Sequence, residues 1–170
     1  MNDEIITIGD RLDEIDQKIR TAIMSDKELI KLICSQSNDL KDILEDDLDN
    51  PSVFENKNIF FTVKDFNEAI QNSKCLIMEG IRVSGVSLSF IDVTFEFIIL
   101  VHKDLQFLKN GKRRLFMIIR ELSLLFLGKT GLGLGTTNLY TANTISDSPK
   151  DYVGFRVAFR VPEFKGTLGD

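Results

Sequence analysis

One histidine, His102, is all that the 170-residue chain contains, so neither a histidine-rich metal site nor a conventional catalytic triad has much to build with. Cysteine is almost as scarce. Cys34 and Cys75 fall in different expected elements without C-x-x-C spacing. The first ten residues, MNDEIITIGD, are acidic rather than basic and then apolar, so they do not read as a signal peptide and the cysteines read as reduced thiols in a cytoplasm. A long apolar run is missing too. Residues 115–127 are broken by Arg120, Glu121 and Ser123, well short of the ~18–20 apolar residues that cross a bilayer. Nor is there an excess of positive charge: the net charge is -5, which excludes a protein that binds nucleic acid by its overall field. Internal repeats and low-complexity linkers are absent as well.

What is present is a change of period along the chain. In DRLDEIDQKIRTAI, from Asp10, residues Leu12, Ile15, Ile19, Ala22 and Ile23 recur at helical spacing. Ser25 and Glu28 have the S-x-x-E form of a capping box, which predicts a second helix over DKELIKLICSQ. The acidic stretch 39–50 is expected to hold a short helix around 40–44, stopped by Asn50-Pro51. From there the pattern is of strands: NIFFTV (58–63), a short turn or helix at FNEAIQ, and KCLIMEGIRV (74–83). In SLSFIDVTFEFIILVH, Ile91, Val93, Phe95, Phe97, Ile99 and Val101 face one way, and Asp92, Thr94 and Glu96 the other. That alternation predicts a long, half-buried strand. Residues 111–127 read as a helix with Asn110 as its N-cap, apolar enough to be buried on more than one face. Two strands, 138–146 and 152–161, and a tail, EFKGTLGD, complete the chain.

This order predicts one α+β domain over 1–170, with an N-terminal helical segment (1–50) and a sheet-and-helix core (58–163). The core is an antiparallel or mixed sheet of about four to five strands with helices packed on one face.

LFLGKTGLGLGTT (125–137) contains a Gly-Lys-Thr that resembles a phosphate loop. The spacing refuses it. G-x-x-x-x-G-K-[ST] needs glycine five positions before Gly128, where Ser123 stands. The helix also precedes the motif, so carbonyls rather than N–H groups would face a phosphate. Gly128 is instead a helix C-cap, with Lys129 near the last carbonyls and Gly131, Gly133 and Gly135 in a loop able to order against a partner.

The remaining charged residues supply no catalytic cluster. KNGKRR (109–114) reads first as a solvated turn before a helix. Yet it puts Lys112, Arg113 and Arg114 at the helix start, against the helix dipole, which points to an acidic partner surface or a nucleic-acid backbone. The acidic stretch 39–49, including Asp46 and Asp47, would meet it between copies in an oligomer. His102, at the end of a strand, reads as a surface or hydrogen-bonded residue. Asp92 and Glu96 lie ~13 Å apart along a strand, too far for a glycosidase pair, and could pair with Arg156 and Arg160 if their strands are neighbours. No catalytic, cofactor-binding or metal-binding residue emerges, and no cofactor is implied.

Over 58–163, particularly SFIDVTFEFIILVHKDLQFLKNGKRRLFMIIRELSLLFLG followed by NLYTANTISDSPKDYVGFRVAFRVPEF, the succession of elements resembles the tail-terminator and neck proteins of long-tailed bacteriophages. The resemblance implies a homohexameric ring at the head-proximal end of the tail that stops tube growth and joins the tail to the head connector. It implies tail-tube and connector proteins as partners, DNA only in passage through the ring, no membrane and no catalysis. The place implied is the tail neck of the virion, after assembly in the host cytoplasm. Candidate interface residues are Lys112, Arg113, Arg114, Lys129, Gly131, Gly133, Asp46 and Asp47. The competing expectation is a cytoplasmic ligand- or peptide-binding module of bacterial origin, with the long strand and apolar helix enclosing the ligand.

Overall fold

The computed structural model describes residues 8–87, 90–133 and 135–164. The N-terminal stretch 1–7 and the tail beyond Phe164 lie outside the described residues, as does the side chain of Ile91. Helix α1 (Ile8–Ser25) turns the apolar stripe of the sequence inward, burying Ile15, Ile19 and Ile23. Helix α2 (Lys27–Cys34) follows at once and buries Leu29, Ile30, Leu32, Ile33 and Cys34. Its cap is not Ser25. Asp26 accepts a hydrogen bond from the Leu29 N–H (2.9 Å), while the Ser25 hydroxyl turns back to the Thr21 carbonyl. The charged side chain satisfies the orphan donor and suits the positive end of the helix.

The short helix of the acidic stretch is α3 (Glu45–Asp49), not 40–44. Leu40 adopts φ +60°, a left-handed conformation that no helix can pass through. A 3-10 turn (Pro51–Phe54) leads to β1 (Ile59–Phe60), far shorter than the expected 58–63 strand. The four-residue α4 (Phe66–Ala69) precedes β2 (Cys75–Ser87) and β3 (Phe90–His102). Helix α5 (Arg114–Phe126) is followed by β4 (Asn138–Ile145) and β5 (Tyr152–Phe164).

The five strands form one mixed sheet in the order β1-β2-β3-β5-β4, parallel between β1 and β2 and antiparallel elsewhere. With β2 and β5 on its flanks, β3 is central. It is buried along its length from Val93 to Val101, Thr94 and Glu96 included, rather than half-buried. The expected alternation is real but both faces are covered. Val93, Phe95, Phe97, Ile99 and Val101 join α1, α2 and α5 in one core. Ile98 and Leu100 pack on the other face with Phe60, Leu76, Met78 and Ala69, where Phe66 and Ile70 of the α4 turn close over them. The rest of that face is ionic: Glu96 meets Arg82 (2.6 Å) and Arg156 (3.5 Å), and Asp92 meets Arg160. The strand pairing foreseen for these charges is the one formed.

At the centre of the helical face, Phe95, Phe97, Phe126 and Phe159 touch one another with ring centroids 5.2–6.2 Å apart. Burying each such side chain contributes about 1.5–3 kcal/mol, and the edge-on and offset contacts add to this.

Candidate functional site

The basic cluster does not act as a unit. Before α5 the chain makes a tight turn, in which Gly111 takes φ +79° and the Gly111 N–H donates to the Leu108 carbonyl (2.8 Å). Asn110 caps this turn rather than the helix, its Oδ1 accepting from the Lys112 N–H (3.0 Å). Lys112 and Arg113 therefore precede α5 and are exposed. Arg114 is fully buried. Its guanidinium donates to the carbonyls of Leu32 (3.2 Å), Ser35 (2.7 Å) and Ser37 (2.5 Å), at the C-terminal end of α2. A cation at that end meets the negative pole of the helix and its unpaired carbonyls. So Arg114 is an internal clamp, and a surface role for it is excluded.

Part of the acidic stretch is paired within the chain. Asp39 pairs with Lys109 (2.7 Å), and that hydrogen bond holds the Asp39 carboxyl well below the usual carboxylate range. Lys27 pairs with Asp49 (2.5 Å). Asp42 accepts from the Ser35 and Ser37 hydroxyls and the Gln36 N–H. Burial works against its charge, but these bonds outweigh it and its pKa lies below the ordinary value. Asp46 and Asp47 sit on α3, the first exposed and the second half-buried.

At the other end of α5, Gly128 takes φ +72°, the left-handed cap that the sequence calls for. The loop is closed across its base. Gly128 N–H donates to the Thr137 carbonyl and Thr137 N–H to the Lys129 carbonyl, both at 2.8 Å. Lys18 of α1 reaches over to the Gly131 carbonyl (2.8 Å). A Cβ on Gly133 would lie 2.6 Å from Val161 Cγ1, so this glycine lets the loop press on β5. Lys129 and Gly131 are exposed.

Helix α5 buries Leu115, Ile118, Leu122 and Phe126, but its outer face carries apolar side chains as well. Phe116 (55% exposed) and Leu124 (54%) stand on it, with Leu127 (47%) just beyond and Phe107 (54%) alongside. Arg113 lies over both the Phe107 and Phe116 rings, 5.5 and 5.6 Å from their centroids. The expected burial on more than one face is not reached within the chain. The exposed Arg120 stands between Phe116 and Leu124 on this face, so the surface is apolar at both ends with a cation between. Exposed apolar groups rimmed by polar ones mark contact surfaces.

A second feature escaped the sequence reading. Only Ile77 and Met78 of β2 pair with β1, so among the described residues the outer edge of β2 from Glu79 onward has no strand beside it. There a cleft of about 510 Å³ opens between α1 (Leu12, Asp13, Asp16), the segment Phe61 to Val63, and β2 (Glu79, Gly80, Ile81, Val83). Glu79 is 3% exposed and neither carboxylate oxygen has a hydrogen-bond partner in the protein. Burial, reinforced by the nearby Asp16 charge, pushes its pKa up to about 8 against the pull of Arg20. The readable signal was parity: Cys75, Ile77, Glu79 and Ile81 share one side of β2, and Glu79 is the acid among apolar residues.

The profile of the YomW family matches residues 26–161. The chain belongs to the YomW family. A comparison with curated proteins finds no match. The YomW region starts at Asp26, the cap of α2, and contains Arg114, its acceptor carbonyls, the glycine loop and Glu79; α1 precedes it. In this YomW chain His102 is hydrogen-bonded, its Nδ1 accepting from the Asp104 N–H (3.3 Å), and its ring packs edge-on against Tyr152. The two cysteines are buried free thiols; burial pushes Cys75 up to about 12 and Cys34 higher still, so both are poor nucleophiles. Among the described residues no three His, Cys, Asp or Glu side chains are placed to hold a metal ion, and no helix is long and apolar enough to cross a membrane.

Proposed function

We propose that this YomW-family chain is a structural virion protein, a ring-forming tail terminator at the head-proximal end of a phage tail. The observation that carries the reading is the pair of exposed apolar side chains on the outer face of α5, Phe116 and Leu124 on either side of Arg120, with Phe107 and Arg113 beside Phe116. A helix that ends its life in water has little use for Phe116 and Leu124 on its outer face; one that meets a neighbouring copy does. In a ring each subunit joins one patch to a different patch on the next copy, and the ring closes if the rotation permits. The edges of β2 and β4, which among the described residues have no strand beside them, offer the second patch. The role implies assembly with tail-tube and head-connector proteins, and no chemistry.

The test is native mass over a wide concentration range, with and without tail-tube protein. A discrete species near six chains, or capture by the tube, supports the ring. Phe116→Glu with Leu124→Glu abolishes either one without unfolding the chain. Lys112→Glu with Arg113→Glu weakens it in a salt-sensitive way. A charge reversal that includes Arg114 would be uninformative, because it unfolds the clamp. A wild-type chain that stays monomeric and ignores tail-tube protein overturns the proposal. A binding module is the second reading, and the cleft at Glu79 is what favours it.

A further inference from the structure

The cleft between α1 and β2 holds a buried carboxyl, Glu79, with no hydrogen-bond partner. A buried carboxyl with no hydrogen bond is costly, and a position that served packing alone would be better filled by an amide or an apolar side chain. Glu79 borders the cleft with both oxygens free. Asp13 and Asp16 add two more carboxyls from α1. The cation facing them, Arg20, is already committed: its Nε lies 2.7 Å from Asp16 Oδ2, and its guanidinium stacks over the Phe61 ring at 4.6 Å. The cleft thus presents an unpaired buried carboxyl, Glu79, beside apolar walls, Leu12, Phe61, Val63 and Val83 among them.

We propose that this cleft is a binding site for an organic cation, an ammonium or guanidinium group on a short apolar stem, with Glu79 as its counter-charge. An anion would face the Asp13 and Asp16 carboxylates on α1. A bare metal ion would want several converging ligands, which the described residues do not bring together. An alkyl cation uses both halves of the site, since its charge pairs with Glu79 while its methylenes lie on the apolar walls. The site stands whether or not the chain forms a ring.

A proton is coupled to binding. With the cleft empty, Glu79 holds its proton at neutral pH, and a bound cation favours the ionised form, so binding expels that proton. The charged groups around it are Asp13, Asp16 and Arg20 of α1; the 61–63 segment brings none, and Phe97 lies opposite on β3. Affinity should therefore rise about tenfold per pH unit up to about 8 and then level off.

The experiment is calorimetric titration of the full chain with n-butylammonium and n-butylguanidinium from pH 6 to pH 9, with n-pentanol as the neutral control. Saturable one-site binding that strengthens with pH, with proton release at neutral pH, supports the site. So does a loss of at least tenfold in Glu79→Gln and in Glu79→Met, two variants expected to fold because each removes an unpaired buried carboxyl. No saturation by either cation at pH 9 overturns the proposal, as does equal binding by n-pentanol or by the two variants. Native mass in the same titration separates the sources of the cation. If the side chain of a second copy fills the cleft, butylguanidinium breaks the oligomer apart; if a free small molecule does, the mass stays constant while binding saturates.

Discussion

Arg114 Nη1 and the Ser35 carbonyl oxygen lie 2.7 Å apart, joining the first residue of α5 to the C-cap of α2. Two further carbonyls, of Leu32 and Ser37, converge on the same guanidinium. Replacing Arg114 by Met leaves all three without this donor and should lower the unfolding free energy by on the order of 3 kcal/mol. Lysine cannot span the three acceptors and should rescue little of it. Lys112→Glu and Arg113→Glu, on exposed side chains, should each stay within about 0.5 kcal/mol of wild type. Urea unfolding measures both; a fully stable Arg114→Met would mean the clamp contributes nothing.

Glu79 predicts an unusual pH profile. Its folded pKa, about 8, lies above the ordinary 4.5, so between those values the folded chain holds more protons than the unfolded one. Stability from this group is therefore complete below pH 4.5 and falls as pH rises towards 8, by roughly 1.4 kcal/mol per pH unit. Glu79→Gln should be the more stable protein at pH 8, and the difference should vanish near pH 4. Thermal melts across that range decide it, and parallel curves for the two proteins would contradict the assignment.

The glycine loop separates two kinds of cost. At Gly128 a Cβ meets nothing within 4 Å but φ is +72°, so Gly128→Ala should cost about 1–2 kcal/mol through backbone strain alone. Gly133→Ala should cost about 1–3 kcal/mol through its collision with Val161. Val161→Ala should relieve the second and not the first, which a double-mutant cycle reads directly.

Phe126 brings α5 to the sheet and touches Phe95, Phe97 and Phe159. Truncation to Ala should cost about 3–5 kcal/mol. Phe116→Ala, on the outer face of the same helix, should cost the monomer well under about 1 kcal/mol. Equal losses would mean that Phe116 is covered in solution.

Much of the architecture could be read from period alone, because the stripe of α1 and the alternation of β3 and β5 each record which side meets the core. The pairing of Asp92 with Arg160 and Glu96 with Arg156 followed from two strands carrying opposite charges at matched spacing. Arg114 was illegible for a physical reason: its two neighbours are solvated cations, and a sequence does not say which of three adjacent charges turns inward. The same holds for the acidic stretch, whose partners Lys27 and Lys109 come from distant positions. The left-handed turn at Leu40 gave no warning, since leucine rarely takes it. Glu79 did leave a mark, but one that becomes meaningful only once β1 is known to stop at Phe60.

Strand β4 is tied to the protein by little more than its ladder with β5: most of its side chains are exposed, and only Ile145 packs against a buried cluster. Its amides should therefore exchange with deuterium through local opening, at a free energy far below that of β3, whose opening requires the whole core to come apart. The sheet would then unzip from one side, with β5 laid bare before any helix has moved.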